Sequence, residues 1–205
     1  MKKYCALTLI MALALCASQF VHAQASKDAK EAAKYSKEGF EATENKDWDK
    51  AIDAFRKATQ LDRKQAPNLA SALQQRGAAY LEQKQFPEAI DDFSEALKLK
   101  PNDATIYERR AYVEMKINDY DKALADYSEA IKLKPNEVKY YLLRSYIYET
   151  KNDVKNSLAD TEKALKLDPK NQEAKARKDR LLARQATNAP FTPIPAASPA
   201  ATGRP

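Results

Sequence analysis

Leu99-Lys100-Pro101-Asn102 returns 34 residues later as Leu133-Lys134-Pro135-Asn136, and Leu167-Asp168-Pro169 falls at the next step. A fixed period of this length confines a chain to stacked copies of one supersecondary unit, each too small to bury its apolar face alone. The same offset carries Phe86-Pro87-Glu88-Ala89-Ile90 onto Tyr120-Asp121-Lys122-Ala123-Leu124, and an earlier copy begins Trp48-Asp49-Lys50-Ala51-Ile52.

Inside one copy, Ala89, Ile90, Phe93, Ala96 and Leu97 recur at helical spacing, which predicts an amphipathic helix ending near Leu99 and stopped by Pro101. Acids fill its early turns and lysines its last, as the helix dipole favours, so these charges need no ligand to explain them. A second helix, about 70–83, precedes it. Asn45-Lys46-Asp47, Asn118-Asp119 and Asn152-Asp153 supply side-chain oxygens for capping at the turns between such pairs. The predicted unit is a helix hairpin.

The residues at fixed places in each copy resemble the tetratricopeptide repeat family. The second copy places Leu73, Gly77 and Tyr80 on its first helix, then Phe86, Ala89, Phe93, Ala96 and Pro101. The third keeps Tyr107, Ala111, Tyr120, Ala123, Tyr127, Ala130 and Pro135, with Glu114 in the aromatic place. The first keeps Tyr35, Gly39, Trp48, Ala51, Phe55 and Ala58, with Ala42 for the aromatic and Arg63 for the proline. In the fourth, Val154, Ser157 and Thr161 depart from the second-helix pattern, which makes its packing the least secure. The resemblance implies an all-α, right-handed α-solenoid of about four hairpins, at about 32–65, 70–103, 104–137 and 138–171. About four extra residues fall near Asp62–Asn68, between the first two units.

The repeats and a charged capping helix, 172–186, make up an expected domain over 31–186. Lys175, Arg177, Lys178, Arg180 and Arg184 read there as the solvated outer face an end unit needs. Residues 187–205, with five prolines among Ala, Ser and Thr, read as a disordered tail. At the other end Lys2 and Lys3, an apolar run to about Ala17 and Val21-His22-Ala23 read as an export signal cleaved near Ala23, leaving 24–30 as a linker. The expected location is periplasmic or secreted. Leu15 is too large for the lipoprotein cleavage that Cys16 would otherwise invite.

Loss of 1–23 removes Cys5, Cys16 and His22, so thiol catalysis, histidine triads and Cys/His metal sites are not expected. The chain has three glycines, none within loop distance of another, which argues against a phosphate-cradling loop. No cofactor or catalytic residue is assigned. Lys and Arg total 35 against 29 Asp and Glu, but the two signs interleave, unlike a nucleic-acid-binding stripe.

A non-catalytic scaffold that binds another protein is the expectation, through the first-helix face that the family resemblance places in a concave groove. The expected groove residues are Phe40, Gln74, Glu108, Arg109, Tyr112, Met115, Lys139, Leu142 and Tyr146, with Phe40, Tyr112 and Tyr146 in one row. Aromatics there offer contact area with few rotors, suited to a peptide or helix of the partner. Some members of the family hold a chaperone's terminal carboxylate; of the matching places, Ser36, Phe40, Gln75, Thr105 and Arg109, only Arg109 retains a suitable group. Self-association and contact with a membrane surface are the alternative readings.

Overall fold

The computed structural model describes residues 2–187, with the side chains of 19 and 22–187; the expected tail beyond Thr187 and most side chains of the expected export signal lie outside the described residues. Among the described residues the chain is helical without strands: α1 (Lys2–Glu44), α2 (Trp48–Leu61), α3 (Ala66–Glu82), α4 (Phe86–Leu99), α5 (Ala104–Lys116), α6 (Tyr120–Leu133), α7 (Val138–Thr150), α8 (Val154–Leu167) and α9 (Gln172–Thr187). It divides into two compact units, Met1–Asn102 and Asp103–Pro205. In the first, α1 pairs with α2, α3 with α4, and α2 abuts α3; in the second, α5 pairs with α6, α7 with α8, α6 abuts α7, and α9 packs on α8.

Two boundaries differ from the sequence reading. Residues 24–30, expected as a linker, are helix within α1; no glycine or proline precedes Gly39, and Ala, Lys, Gln and Glu favour the helical state. The extra residues near Asp62–Asn68 form a short 3-10 turn, Arg63–Gln65, and a first turn of α3 that begins at Ala66 rather than Ala70, with Pro67 where a missing N–H costs nothing. Among the described residues no helix is long and apolar enough to cross a membrane.

Each hairpin turns through one left-handed residue, Lys46, Lys84, Asn118 or Asn152, with φ of 58°, 61°, 61° and 63°. The next amide closes back on the helix: Asp47 N reaches Ala42 O at 2.9 Å, and Gln85, Asp119 and Asp153 N reach Tyr80, Glu114 and Tyr148 O at 2.8 Å. Orphan carbonyls are thereby satisfied. Asp47, Asp119 and Asp153 then cap the following helix, accepting from the amides of Lys50, Lys122 and Asn156. Gln85 makes no such side-chain bond, and Pro87 starts that helix instead.

Close approach within the hairpin follows from the small residues. A Cβ on Gly39 would stand 2.7 Å from the Phe55 ring, and one on Gly77 would stand 3.0 Å from Phe93. Both rings are buried in the space the glycines leave. At the matching place the third hairpin sets Ala111 against Tyr127, and the fourth sets Ser145 against Thr161.

That fourth hairpin corrects the expectation of insecure packing. Ser145, Ser157 and Thr161 are fully buried and satisfy one another: Ser145 Oγ lies 2.7 Å from Thr161 Oγ1, Ser157 Oγ donates to Ser145 O at 2.9 Å, and Thr161 Oγ1 donates to Ser157 O at 2.8 Å. The hydroxyls replace an aromatic ring and pay little desolvation cost because each finds a partner.

A buried ion pair also recurs at the repeat period. Arg76, Arg110 and Arg144 each grip the aspartate 16 residues on, Asp92, Asp126 and Asp160, through Nε and a terminal nitrogen at 2.7–2.8 Å. The aspartates are almost fully buried. Hydrogen bonding to them holds all three guanidiniums above their ordinary pKa, against the opposing effect of burial. The first hairpin has Glu38 and Ala54 at these places and lacks the pair.

Glu114 has no such bidentate partner. It is 3% exposed, its Oε1 stands 4.0 Å from Arg110 Nε, and its Oε2 has no hydrogen-bond partner. Burial first, and then the Asp126 carboxylate, push its pKa up to about 8.

Candidate partner-binding face

The expected groove residues behave differently in the two units. In the first, Phe40 projects from α1 with 51% of its surface exposed, held edge-on to the buried Phe55 ring at 5.1 Å between centroids. Gln74 on α3 is half-buried. The neighbouring hydroxyls are already committed: Ser36 Oγ donates to Gln65 Oε1, Thr43 Oγ1 to Gly39 O, and Ser71 Oγ to Pro67 O.

In the second unit, Glu108, Arg109, Tyr112 and Met115 come from α5 and Lys139 from α7. Helical spacing sets Glu108, Tyr112 and Met115 along one side of α5. Met115 packs on the core formed by Ala111, Tyr127 and Ile147, which fixes the level of Tyr112 one turn earlier. Lys116 Nζ lies 4.9 Å from the centre of the Tyr112 ring, and Lys139 Nζ donates to Glu108 Oε1, tying α7 to α5. Burial and the nearby Glu108 carboxylate push the Tyr140 hydroxyl upward in pKa, so a neutral phenol backs this pair. Arg109 is exposed. The result is a partly exposed tyrosine in a frame of fixed charges.

Leu142 is buried, and Tyr146 is half-buried like Tyr112 but faces a different helix. Leu142 packs among Tyr141, Ala164 and Ala174, and its carbonyl accepts from Arg177 Nη1 at 2.8 Å. Arg177 also sits 5.7 Å from the Tyr146 ring centre. Glu149, one turn further along α7, is clasped by Arg180 Nε and Nη2 at 2.8 and 3.0 Å. Helix α9 therefore packs its own side chains against the Leu142–Glu149 stretch of α7 and leaves Lys139 exposed.

Not all the basic residues expected on the solvated outer face of 172–186 lie there. Arg177 is buried at 6% exposure, bonded to Glu173 and Leu142; Lys178 pairs with Glu162 at 2.9 Å, and Arg184 donates to Asn152 Oδ1. Ala174, Arg177 and Leu181 form the inward edge. The spacing of Ala174, Arg177 and Leu181 could have signalled a buried stripe, but the cationic composition masked it. The three Arg–Asp pairs were likewise visible in the sequence as a 34-residue recurrence of both members.

Among the described residues no cluster of three His, Cys, Asp or Glu side chains stands in metal-ligating geometry. The side chains of the face are suited to stacking, hydrogen bonding and ion pairing with a second polypeptide.

Tetratricopeptide repeat profiles match residues 70–103, 104–137 and 138–171, the hairpins α3–α4, α5–α6 and α7–α8. No curated protein sequence matches the chain. Among solved structures, the Arabidopsis OM64 TPR domain is 30% identical, covering 57% of this chain and 96% of that one, with a TM-score of 0.53. The first TPR domain of Spaghetti (RPAP3), bound to the HSP90 peptide SRMEEVD, is 24% identical over 57% of this chain and 93% of its own, with a TM-score of 0.54. A tetratricopeptide repeat protein from Parabacteroides merdae is 19% identical, covering 78% and 61%, with a TM-score of 0.60. Repeat profiles, helix pairing and structural likeness agree that this chain is an all-α solenoid protein of the tetratricopeptide repeat family.

Proposed function

We propose that the protein is a non-catalytic, exported scaffold that binds a peptide or helix of another protein through the Tyr112 face of its second unit. The observation that carries the reading is the setting of Tyr112: a half-buried ring beside Lys116, with exposed Arg109 and the Glu108–Lys139 pair around it, whereas the Tyr146 ring faces Arg177 from the capping helix α9. A rigid aromatic inside a polar frame is the usual make-up of an interface anchor. The family is one of protein-interaction scaffolds, and the Spaghetti domain's structure was solved with a bound peptide, which supports the same class of partner here.

Export rests on Lys2, Lys3 and the apolar run before Val21-His22-Ala23. Contact with an anionic membrane through α9 is not favoured, because Arg177, Lys178 and Arg180 already serve Glu173, Glu162 and Glu149. The test uses residues 24–205 as bait in a cell-envelope extract, with and without Tyr112→Ala. A partner retained by the wild type and lost by a folded Tyr112→Ala protein supports the reading; equal retention by both overturns the assignment of the face.

A further inference from the structure

Among the described residues of the first unit, Phe40 is the large apolar side chain left in solvent, at 51% exposure. Its ring leans edge-on against the buried Phe55, so it is held in place without being covered. A lone exposed aromatic is ordinary on a protein surface; a second feature beside this one sets it apart.

That feature is the short turn Arg63–Gln65, which has no counterpart in the other connections between hairpins among the described residues. Gln65 Oε1 accepts from Ser36 Oγ at 2.8 Å and from Asn68 Nδ2 at 2.9 Å. These bonds pin the turn to α1 one helical turn before Phe40, about 6 Å along the axis. Arg63 and Lys64 are exposed and pair with no acid among the described residues. Asp62, which caps the turn, directs its carboxylate to the Lys64 amide at 3.0 Å. On α1 itself, Lys37 and Glu41 flank Phe40 and neutralise each other at 3.7 Å, and the Ser36 and Thr43 hydroxyls are already bonded. Glu44, one turn past Phe40, is exposed. The surface thus runs from two free cations, past an aromatic, to an acid.

We propose that Phe40 and the Arg63–Lys64 turn form a docking surface for a segment of another protein that carries a large apolar side chain and, about three residues from it in extended backbone, a carboxylate. The apolar side chain stacks on Phe40 and the carboxylate meets Arg63 and Lys64, while Glu44 repels the reverse orientation. This surface belongs to the first unit and is separate from the Tyr112 face.

The test selects a random dodecapeptide library, displayed on phage, against the full chain, with counter-selection on Phe40→Ala. The enriched sequences should combine a large apolar residue with Asp or Glu. Binding of one such peptide, read by fluorescence anisotropy, should weaken by about tenfold or more in Phe40→Ala and in the double variant Arg63→Glu, Lys64→Glu, and should be unchanged in Tyr112→Ala. Selection repeated on the double variant should replace the acids by Lys or Arg. That variant alters exposed side chains that make no bond, so it remains informative even where Phe40→Ala unfolds. Enrichment that ignores Phe40, or the same charge preference on wild type and double variant, overturns the proposal. A dimer seen by sedimentation and lost in Phe40→Ala overturns it in favour of a second copy of this chain.

Discussion

Glu114 makes the stability of the second unit depend on pH in a direction opposite to that of most carboxylates. Its side chain takes the place held by Tyr80 in the second copy and Tyr148 in the fourth, where an aromatic would fill the hairpin. Arg110, the nearest cation, is already bound to Asp126 by two hydrogen bonds and leaves Glu114 at 4.0 Å. Burial therefore favours the protonated acid, with a pKa near 8 in the folded chain against an ordinary value of 4.5. Between those values the folded state binds a proton that the unfolded state has lost. The stabilisation is complete below about pH 4.5 and disappears as pH rises through about 8, with a slope of at most about 1.4 kcal/mol per pH unit. Over the whole window this amounts to at most about 5 kcal/mol.

Glu114→Gln keeps the shape and removes the titration. Urea unfolding followed by circular dichroism at about pH 5, 7 and 9 should show the wild type losing stability relative to this variant as pH rises. Other carboxylates titrate alike in both proteins, so the difference isolates Glu114. Parallel stability profiles for the two would refute the argument that the carboxyl is buried and neutral.

Other perturbations test the repeated features. Asp160→Ala strands the Arg144 guanidinium and should cost about 3 kcal/mol, whereas replacing both partners by apolar residues should cost far less; equal losses in chemical denaturation would contradict a buried pair. Lys84→Gly relieves a left-handed residue and should raise stability by about 0.5–1 kcal/mol, visible as a higher denaturation midpoint. Gly39→Ala should destabilise by about 1–2 kcal/mol, because its methyl would meet the Phe55 ring; an unchanged melting temperature would mean the ring can retreat.

Much of the architecture was legible because the period fixes it. Helix pairing, the positions of Phe55, Phe93 and Tyr127, and the turns at Asp47, Asp119 and Asp153 follow from apolar spacing and capping chemistry repeated at one offset. The start of α3 was misplaced because residues without a counterpart in the other copies carry no periodic signal; only Pro67 marks the added turn. Ser145, Ser157 and Thr161 looked like losses from the pattern when read one at a time, and only their mutual hydrogen bonds turn them into a core. The candidate face was legible as positions and not as surroundings. Phe40 is exposed and Tyr112 half-buried, whereas Leu142 is buried and Tyr146 faces Arg177, from a helix whose basic residues were expected on a solvated outer face. Arginine's long apolar stem and broad donor fork let it fill such a place, a choice that composition does not disclose.

The binding account is tested most directly by placing a photo-crosslinking residue at Arg109, which is exposed beside Tyr112, and separately at Lys132, exposed on α6. Each protein would then be irradiated in the envelope of living cells. A discrete adduct with another protein from position 109, absent from position 132, is the predicted result. Adducts of equal yield from both positions, or from position 132 alone, would contradict the assignment of the Tyr112 face as the binding surface.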